Sequence, residues 1–237
     1  MGSENEILVW KNVTGKSRGF HLQNISLSLQ AGYIYALVGA NGAGKTTLMK
    51  YIMDEDVQYD GEIFVAGEKL RGNHARLMNQ IGYVSEDNRF FEEKTGRQNA
   101  ALLGGFYDEF DMGQFEEAMK RMGLSPGKLY GKMSRGERLK FQLAFAIAHK
   151  PCLYLLDEVT AGMDPVFCIE FFEVLSGLIR DEESSVLMTS HIQSEIEQKT
   201  DFVGIMEQGR LVKFGESLDV LGHLQRERKV IKDDENR

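Results

Sequence analysis

The chain has 237 residues, of which 42% are hydrophobic and 27% are charged, and this is enough for a single domain with a sizeable core. The formal net charge of -8 argues against nucleic-acid binding and against a basic membrane-surface helix, because both require clustered positive charge. We therefore expect no nucleic-acid partner, whereas docking onto a membrane protein is compatible with this charge.

The first part of the chain predicts short β-strands. Five segments there have the apolar runs or the apolar–polar alternation that strands require: residues 6–13, 22–29, 33–38, 62–66 and 81–84. The run at 33–38 is continuous, which is typical of a buried central strand.

A phosphate-binding loop is the strongest motif in the sequence. Residues 39–46 match the pattern GxxxxGK[ST] and lie between a predicted buried strand and a helix predicted from about Lys45. Its glycines let backbone N–H groups surround phosphates, and the helix offers its positive N-terminus. Lys45 would reach the β- and γ-phosphates, and the Thr46 hydroxyl would bind Mg²⁺. The predicted nucleotide-binding residues are Gly39, Asn41, Gly42, Ala43, Gly44, Lys45, Thr46 and Thr47.

The middle of the chain has a helical pattern. Asp111 can cap a helix with apolar side chains on one face, and Gly123 would end that helix. We expect residues 96–149 to form an α-helical subdomain inserted into an α/β core.

The last third alternates between strands and helices. Strands are predicted at 152–156 and 185–189, a helix from Pro165, and a hairpin over 202–214. This alternation predicts a mainly parallel sheet covered by helices. The expected fold is an α/β P-loop NTPase core with an N-terminal antiparallel β subdomain and the helical insert. We expect one domain over 1–237, with its core in 1–95 and 150–225 and a charged tail at 226–237.

Two carboxylates follow the predicted strand at 152–156. In a parallel sheet the ligand crevice lies at the carboxyl ends of the strands. Asp157 would therefore hold Mg²⁺, and Glu158 would orient or deprotonate the attacking water. Solvated acids at a strand end are the alternative, and the phosphate-binding loop favours the functional interpretation.

Cysteine usage and hydropathy predict a cytosolic chain. Cys152 and Cys168 are expected to be buried free thiols, as in a reducing compartment. The first residues lack the apolar core of a signal peptide, and no segment is long and apolar enough to span a bilayer. Any membrane-spanning part is therefore expected on another chain.

The order of these motifs resembles the ABC ATPases over residues 6–222. Residues 133–137 (MSRGE) look like the family signature, Asp164 looks like the D-loop aspartate, and His191 looks like the switch histidine. The resemblance implies a head-to-tail dimer that sandwiches two ATP molecules with Mg²⁺. Ser134 and Gly136, with Asp164, would then contact the nucleotide bound by a second subunit, identical or homologous.

The resemblance also implies a role for His191 and a membrane partner. His191 would contact the γ-phosphate and help to position the water near Glu158. A membrane-spanning permease would hold the ATPase at the inner face of the cell membrane.

Position 86 departs from the family pattern. The family usually has glutamine there, which binds Mg²⁺ and senses the membrane subunit, whereas this chain has Glu86. A glutamate can also ligate Mg²⁺, so Glu86 is a candidate metal ligand beside Thr46 and Asp157. Residues 86–96 are the expected coupling segment.

The adenine-stacking aromatic is a second departure. Its expected place is near Ser17, which is not aromatic. Arg18 and Phe20 are the candidates for stacking, with a core position for Phe20 as the alternative. GTP is therefore not excluded.

The signature itself also differs from the usual form. It carries Arg135 and Glu137 where glycine and glutamine are usual, and this variation resembles compact bacterial ABC-2-type exporter ATPases. Two functions follow: an ATPase that energises export through a separate membrane partner, or a soluble ABC ATPase acting in complex assembly. A non-hydrolysing partner in a heterodimer is disfavoured by Glu158 and His191.

Overall fold

The computed structural model describes residues 5–15, 21–87, 89–191 and 199–222. Ten strands are assigned there: β1 (Glu6–Gly15), β2 (Ile25–Gln30), β3 (Ile34–Val38), β4 (Tyr59–Val65), β5 (Glu68–Lys69), β6 (Ile81–Ser85), β7 (Leu153–Asp157), β8 (Ser185–Ser190), β9 (Phe202–Glu207) and β10 (Arg210–Glu216). The same ranges contain the α-helices α1 (Lys45–Met53), α2 (His74–Leu77), α3 (Gly96–Leu103), α4 (Met112–Arg121), α5 (Arg135–Ala148) and α6 (Pro165–Leu178).

A six-stranded sheet forms the centre of the fold, in the order β10-β9-β3-β8-β7-β6. Its strands pair in parallel except for β10, which pairs antiparallel with β9. Every residue of β3 and β7 is buried, because helices or the second sheet cover both faces. The predicted mainly parallel sheet is therefore confirmed.

A four-stranded antiparallel sheet contains the N-terminal strands, in the order β2-β1-β4-β5. The predicted start of β2 at residue 22 was wrong, because Asn24 has φ 50° and interrupts the extended backbone. The predicted end of β1 was short, since the strand continues to Gly15 beyond a register shift near Asn12, which has φ 52°. The expected N-terminal antiparallel sheet is confirmed.

The helices α3 to α5 pack on one face of the central sheet. Asp111 caps α4 by accepting hydrogen bonds from two backbone N–H groups, and Gly123 follows this helix with φ 72°. Phe115 and Phe141 are fully buried where α4 meets α5. The expected cap and apolar face of α4 are therefore confirmed.

The central sheet separates two hydrophobic clusters, and its strands contribute to both. In β3, Ile34, Ala36 and Val38 belong to the cluster that contains the helices α3 to α6. Tyr35 and Leu37 belong to the cluster shared with α1 and the antiparallel sheet. This alternation follows from the two-residue period of a strand.

Both cysteine side chains are only partly buried, less than expected. Burial raises the pKa of the Cys152 thiol to about 11. Within the described ranges, the protein has no helix with the length and apolarity needed to cross a membrane. The adenine candidates Ser17, Arg18 and Phe20, and the tail at 226–237, lie outside the described residues.

Candidate functional site

The carboxyl ends of β3, β7 and β8 meet at one edge of the central sheet. The register pairs Val38 with Ser190 and Asp157 with Thr189. The phosphate-binding loop, the two carboxylates and the exposed His191 therefore lie at the same edge. This is the place where ligands bind to open α/β sheets.

Glycine is required in the loop between β3 and α1 for two different reasons. Gly42 and Gly44 have φ values of 79° and 109°, a conformation that L side chains rarely adopt. A Cβ on Gly39 would lie only 2.3 Å from the carbonyl oxygen of Met206. Asn41 is exposed and Thr47 is half-buried at the start of α1. The sequence therefore permits a loop that runs close against β9.

Lys45 is a buried cation with its charge compensated inside the loop. Its side chain is 3% exposed, and Nζ donates hydrogen bonds to the carbonyl oxygens of Gly39 at 2.8 Å and Ala40 at 3.3 Å. The Glu158 Oε1 atom lies 3.6 Å from Nζ. An ammonium held this way can exchange carbonyl partners for anionic oxygens that enter the loop.

Asp157 is held by two hydroxyl groups. Its Oδ1 atom accepts hydrogen bonds from Thr189 Oγ1 at 2.6 Å and from Thr46 Oγ1 at 3.0 Å. Burial raises the pKa of this carboxyl above its ordinary value, and the hydrogen bonds from the two threonines partly oppose that shift. This arrangement brings the Thr46 hydroxyl oxygen, from α1, next to an Asp157 carboxylate oxygen, from β7.

Thr189 was not among the residues predicted for the site. Its hydroxyl is fully buried and also accepts a hydrogen bond from the Glu158 backbone N–H at 2.9 Å. It therefore connects Asp157 to the backbone of Glu158. The sequence signal that could have identified Thr189 is a polar residue near the end of the apolar strand β8, which pairs with β7.

Glu158 has an unusual backbone for its residue type. Its φ is 51°, in the left-handed region, and its side chain is 38% exposed. Such strain is typical of functional sites. The side chain faces a pocket of about 280 Å³, which is lined by Thr46, Ser85, Glu86, Asp87, Arg135, Asp157 and Glu158.

The oxygen atoms at this pocket fit the chemistry of Mg²⁺. This ion prefers hard oxygen ligands and is usually bound through one or two carboxylates, water and substrate phosphates. Thr46 and Asp157 supply such oxygens beside the loop. Among the described residues, no cluster of three or more carboxylate, histidine or cysteine side chains could bind a metal alone.

The signature residues form the start of α5. Ser134 is exposed, and its hydroxyl accepts from the Glu137 N–H at 3.3 Å, while Glu137 accepts from the Ser134 N–H at 2.8 Å. Lys128, together with that N–H, holds the pKa of Glu137 below its ordinary value. A Cβ on Gly136 would lie 3.2 Å from the ring of Phe167. Ser134 is thus a helix cap, and its contact with a second subunit remains a prediction.

Asp164 also caps a helix. Its Oδ1 atom accepts a hydrogen bond from the Phe167 N–H at 2.9 Å, and Pro165 occupies the first turn of α6.

An ion pair joins Glu86 to Arg135 at the rim of the pocket, which the sequence did not predict. The proposed nucleotide and metal residues therefore lie together, with Asp164 and Ser134 at two nearby helix starts.

Comparison with known proteins identifies the family. Residues 22–161 match the family model described as ABC transporter. This chain therefore belongs to the ABC transporter family, and the expected resemblance is confirmed.

Curated relatives are transport ATP-binding proteins. The chain is 33% identical over 194 residues to the bacitracin transport ATP-binding protein BcrA of Enterococcus faecalis, covering 81% of this chain and 63% of the relative. It is 31% identical over 194 residues to BcrA of Bacillus licheniformis, with the same coverage. It is 30% identical over 190 residues to the ABC transporter ATP-binding protein YtrB of Bacillus subtilis, covering 80% and 65%. The chain thus spans less than two thirds of the length of these relatives.

Solved structures confirm the fold. A chain described as an ATP binding subunit of an ABC transporter superposes with a TM-score of 0.81 at 23% identity, covering 92% of this chain and 93% of that one. The chain of cbiO1 from Clostridium perfringens superposes with a TM-score of 0.80 at 24% identity, covering 95% and 94%. The expected α/β P-loop architecture is therefore correct.

Proposed function

We propose that this chain is an ATP-binding and ATP-hydrolysing subunit that energises transport through a separate membrane-spanning partner, in the direction of export. The observation that carries the proposal is the hydrogen-bonded group of Thr46, Asp157 and Thr189 beside the phosphate-binding loop, with Glu158 next to it. The names of the relatives, bacitracin transport among them, support a transport role. The variant signature with Arg135 favours export by its resemblance to ABC-2-type ATPases.

The proposed chemistry divides between four side chains. Lys45 exchanges its two carbonyl partners for oxygens of the β- and γ-phosphates. Thr46 and Asp157 would hold Mg²⁺, and the ion would supply positive charge that offsets the phosphate charge. Glu158 orients or deprotonates the attacking water, and His191, at the same sheet edge, helps to position it.

A second copy or a homologous subunit completes the proposed site. Ser134 and Gly136 lie at the N-terminus of α5, where backbone N–H groups and the helix dipole favour an anion. Asp164 lies at the start of α6. We propose that these residues contact the nucleotide of the opposite subunit. Closing this dimer on ATP and opening it after hydrolysis would move the membrane partner between two states.

Glu158→Gln tests the enzymatic part of the proposal. The variant should bind ATP with Mg²⁺ as the parent does and lose hydrolysis by about 10²–10⁴-fold, because the general base is removed. Glu182→Gln is the matched control, since Glu182 is an exposed glutamate with a similar φ of 59°, outside the candidate site. Hydrolysis by the Glu158 variant at the parent rate would refute the assignment of the base.

Affinity purification tests the transport part. The tagged protein is isolated from its native cells in mild detergent, and its partners are identified by mass spectrometry. Recovery of a polytopic membrane protein in stoichiometric amount supports the transporter. Recovery of soluble partners alone, with the chain absent from the membrane fraction, supports the alternative of an assembly ATPase. Uptake and efflux assays of that membrane partner then determine the direction.

A further inference from the structure

An ion pair crosses the rim of the candidate nucleotide pocket. Arg135, the first residue of α5, contacts Glu86, which follows β6. Both side chains line the pocket that also contains Asp157 and Glu158. The two partners are 40% and 49% exposed, so a ligand that enters the pocket would meet this pair.

The helix α5 holds the segment at Glu86 at two points. Gln142, which is 2% exposed, accepts a hydrogen bond from the backbone N–H of Ser85 at 3.0 Å. Gln142 lies seven residues after Arg135, about two helical turns further along the same face. One side chain thus fixes the backbone beside Glu86, and the other holds its carboxylate.

The guanidinium of Arg135 also lies close to Gly162. A Cβ on Gly162, in the turn after β7, would lie 3.2 Å from its Nη1 atom. A cation in the first turn of a helix is disfavoured by the helix dipole. The acid in that turn, Glu137, already binds Lys128 at 2.7 Å and the Ser134 N–H. The position of Arg135 is therefore explained by Glu86 and not by its own helix.

The negative charge of the pocket gives a reason for the ion pair between Arg135 and Glu86. Four carboxylates line it: Glu86, Asp87, Asp157 and Glu158. Repulsion by fixed negative charge weakens the binding of a polyphosphate. We propose that Arg135 is a positioning residue that holds the Glu86 carboxylate at the pocket rim and offsets its charge, so that a glutamate is tolerated where the family usually has glutamine. This inference rests on the proposed binding of Mg²⁺ and ATP.

A double-mutant cycle tests the inference without measuring turnover. Binding of the non-hydrolysable analogue AMPPNP with Mg²⁺ is followed by titration calorimetry. Arg135→Gln should weaken binding about threefold to fivefold, as expected for a partly exposed charge pair. The double variant with Glu86→Gln should restore binding, and Arg135→Lys should retain most of it. The loss should shrink at high salt, because screening reduces repulsion by the exposed carboxylate.

A matched control separates this effect from a general loss of charge. Arg76→Gln breaks another exposed ion pair, with Glu68, outside the pocket, and should leave AMPPNP binding unchanged. Melting temperatures establish that each variant is folded, and Arg135→Met replaces the glutamine variant if that one fails to fold.

Three results would overturn the inference, and they are distinguishable. Binding by Arg135→Gln at the parent affinity removes the positioning role and leaves the proposed function intact. Weakened binding that Glu86→Gln does not restore shows that Arg135 acts on the nucleotide directly. A parent chain that binds no AMPPNP refutes the proposed function, and the inference falls with it.

Discussion

Acidification should destabilise the protein through one buried histidine. His149 is the C-cap residue that follows α5, is 4% exposed, and stacks on Tyr107 with ring centroids 4.1 Å apart. Burial lowers the pKa of His149 from 6.5 to about 4, against a hydrogen bond between Nδ1 and the Asn79 carbonyl that favours the cation. The folded state therefore disfavours the protonated ring, whereas the unfolded chain accepts the proton freely.

The sign and size of the effect follow from linkage. Between pH 6.5 and pH 4 the unfolded state binds more protons at His149, so stability falls as the pH falls through this window. The loss from this residue between pH 7.5 and pH 5 is about 2 kcal/mol. Urea unfolding of the parent and of His149→Gln at both pH values isolates the contribution, since other groups titrate alike in both proteins.

A direct titration provides the second measurement. The NMR signal of the His149 ring should titrate near pH 4 in the folded protein. Equal pH dependence of unfolding in the parent and in His149→Gln, or a ring that titrates near 6.5, would refute the argument that burial controls this group.

Two further substitutions test the site geometry. Gly39→Ala should lower the free energy of unfolding by about 1–3 kcal/mol and weaken nucleotide binding, because its Cβ would lie 2.3 Å from the Met206 carbonyl oxygen; an unchanged urea midpoint would contradict the close approach. Thr189→Val should cost about 1–3 kcal/mol, because Asp157 and the Glu158 N–H each lose a buried partner. Thr189→Ser keeps the hydroxyl and should unfold near the parent midpoint, so equal losses in both variants would show that packing, not hydrogen bonding, matters there.

The central strands were predictable because their burial leaves a direct trace in the sequence. The run that ends at Val38 has no polar side chain to face solvent, and β3 is buried throughout. The cap of α4 was predictable for a similar reason, since Asp111 precedes its helix in sequence and accepts hydrogen bonds from nearby N–H groups. Local chemistry of this kind needs no knowledge of the fold.

Contacts between segments that are distant in sequence could not be predicted from the sequence pattern. The ion pair of Arg135 with Glu86 depends on how α5 packs against β6. Both residues depart from the family pattern, but these departures did not indicate that the two side chains are in contact. The bond of Thr189 to Asp157 likewise requires the register of β8 against β7. The left-handed Asn24 that delays β2 is stabilised by a backbone hydrogen bond to the Thr14 hydroxyl at 3.0 Å, a contact that only the folded sheet provides.

The alternation of β3 between two hydrophobic clusters has a consequence for unfolding. Leu37 and Val38 pack on opposite faces of the same strand. Unfolding of either hydrophobic cluster would therefore displace the backbone on which the other cluster packs. The layers should then melt in one cooperative transition. Trp10, the single tryptophan, lies in the cluster on the antiparallel-sheet side, while α4 and α5 cover the other face. The Trp10 fluorescence and the far-UV circular dichroism of the helices should give the same unfolding curve. Separate unfolding midpoints would mean that the two clusters unfold independently.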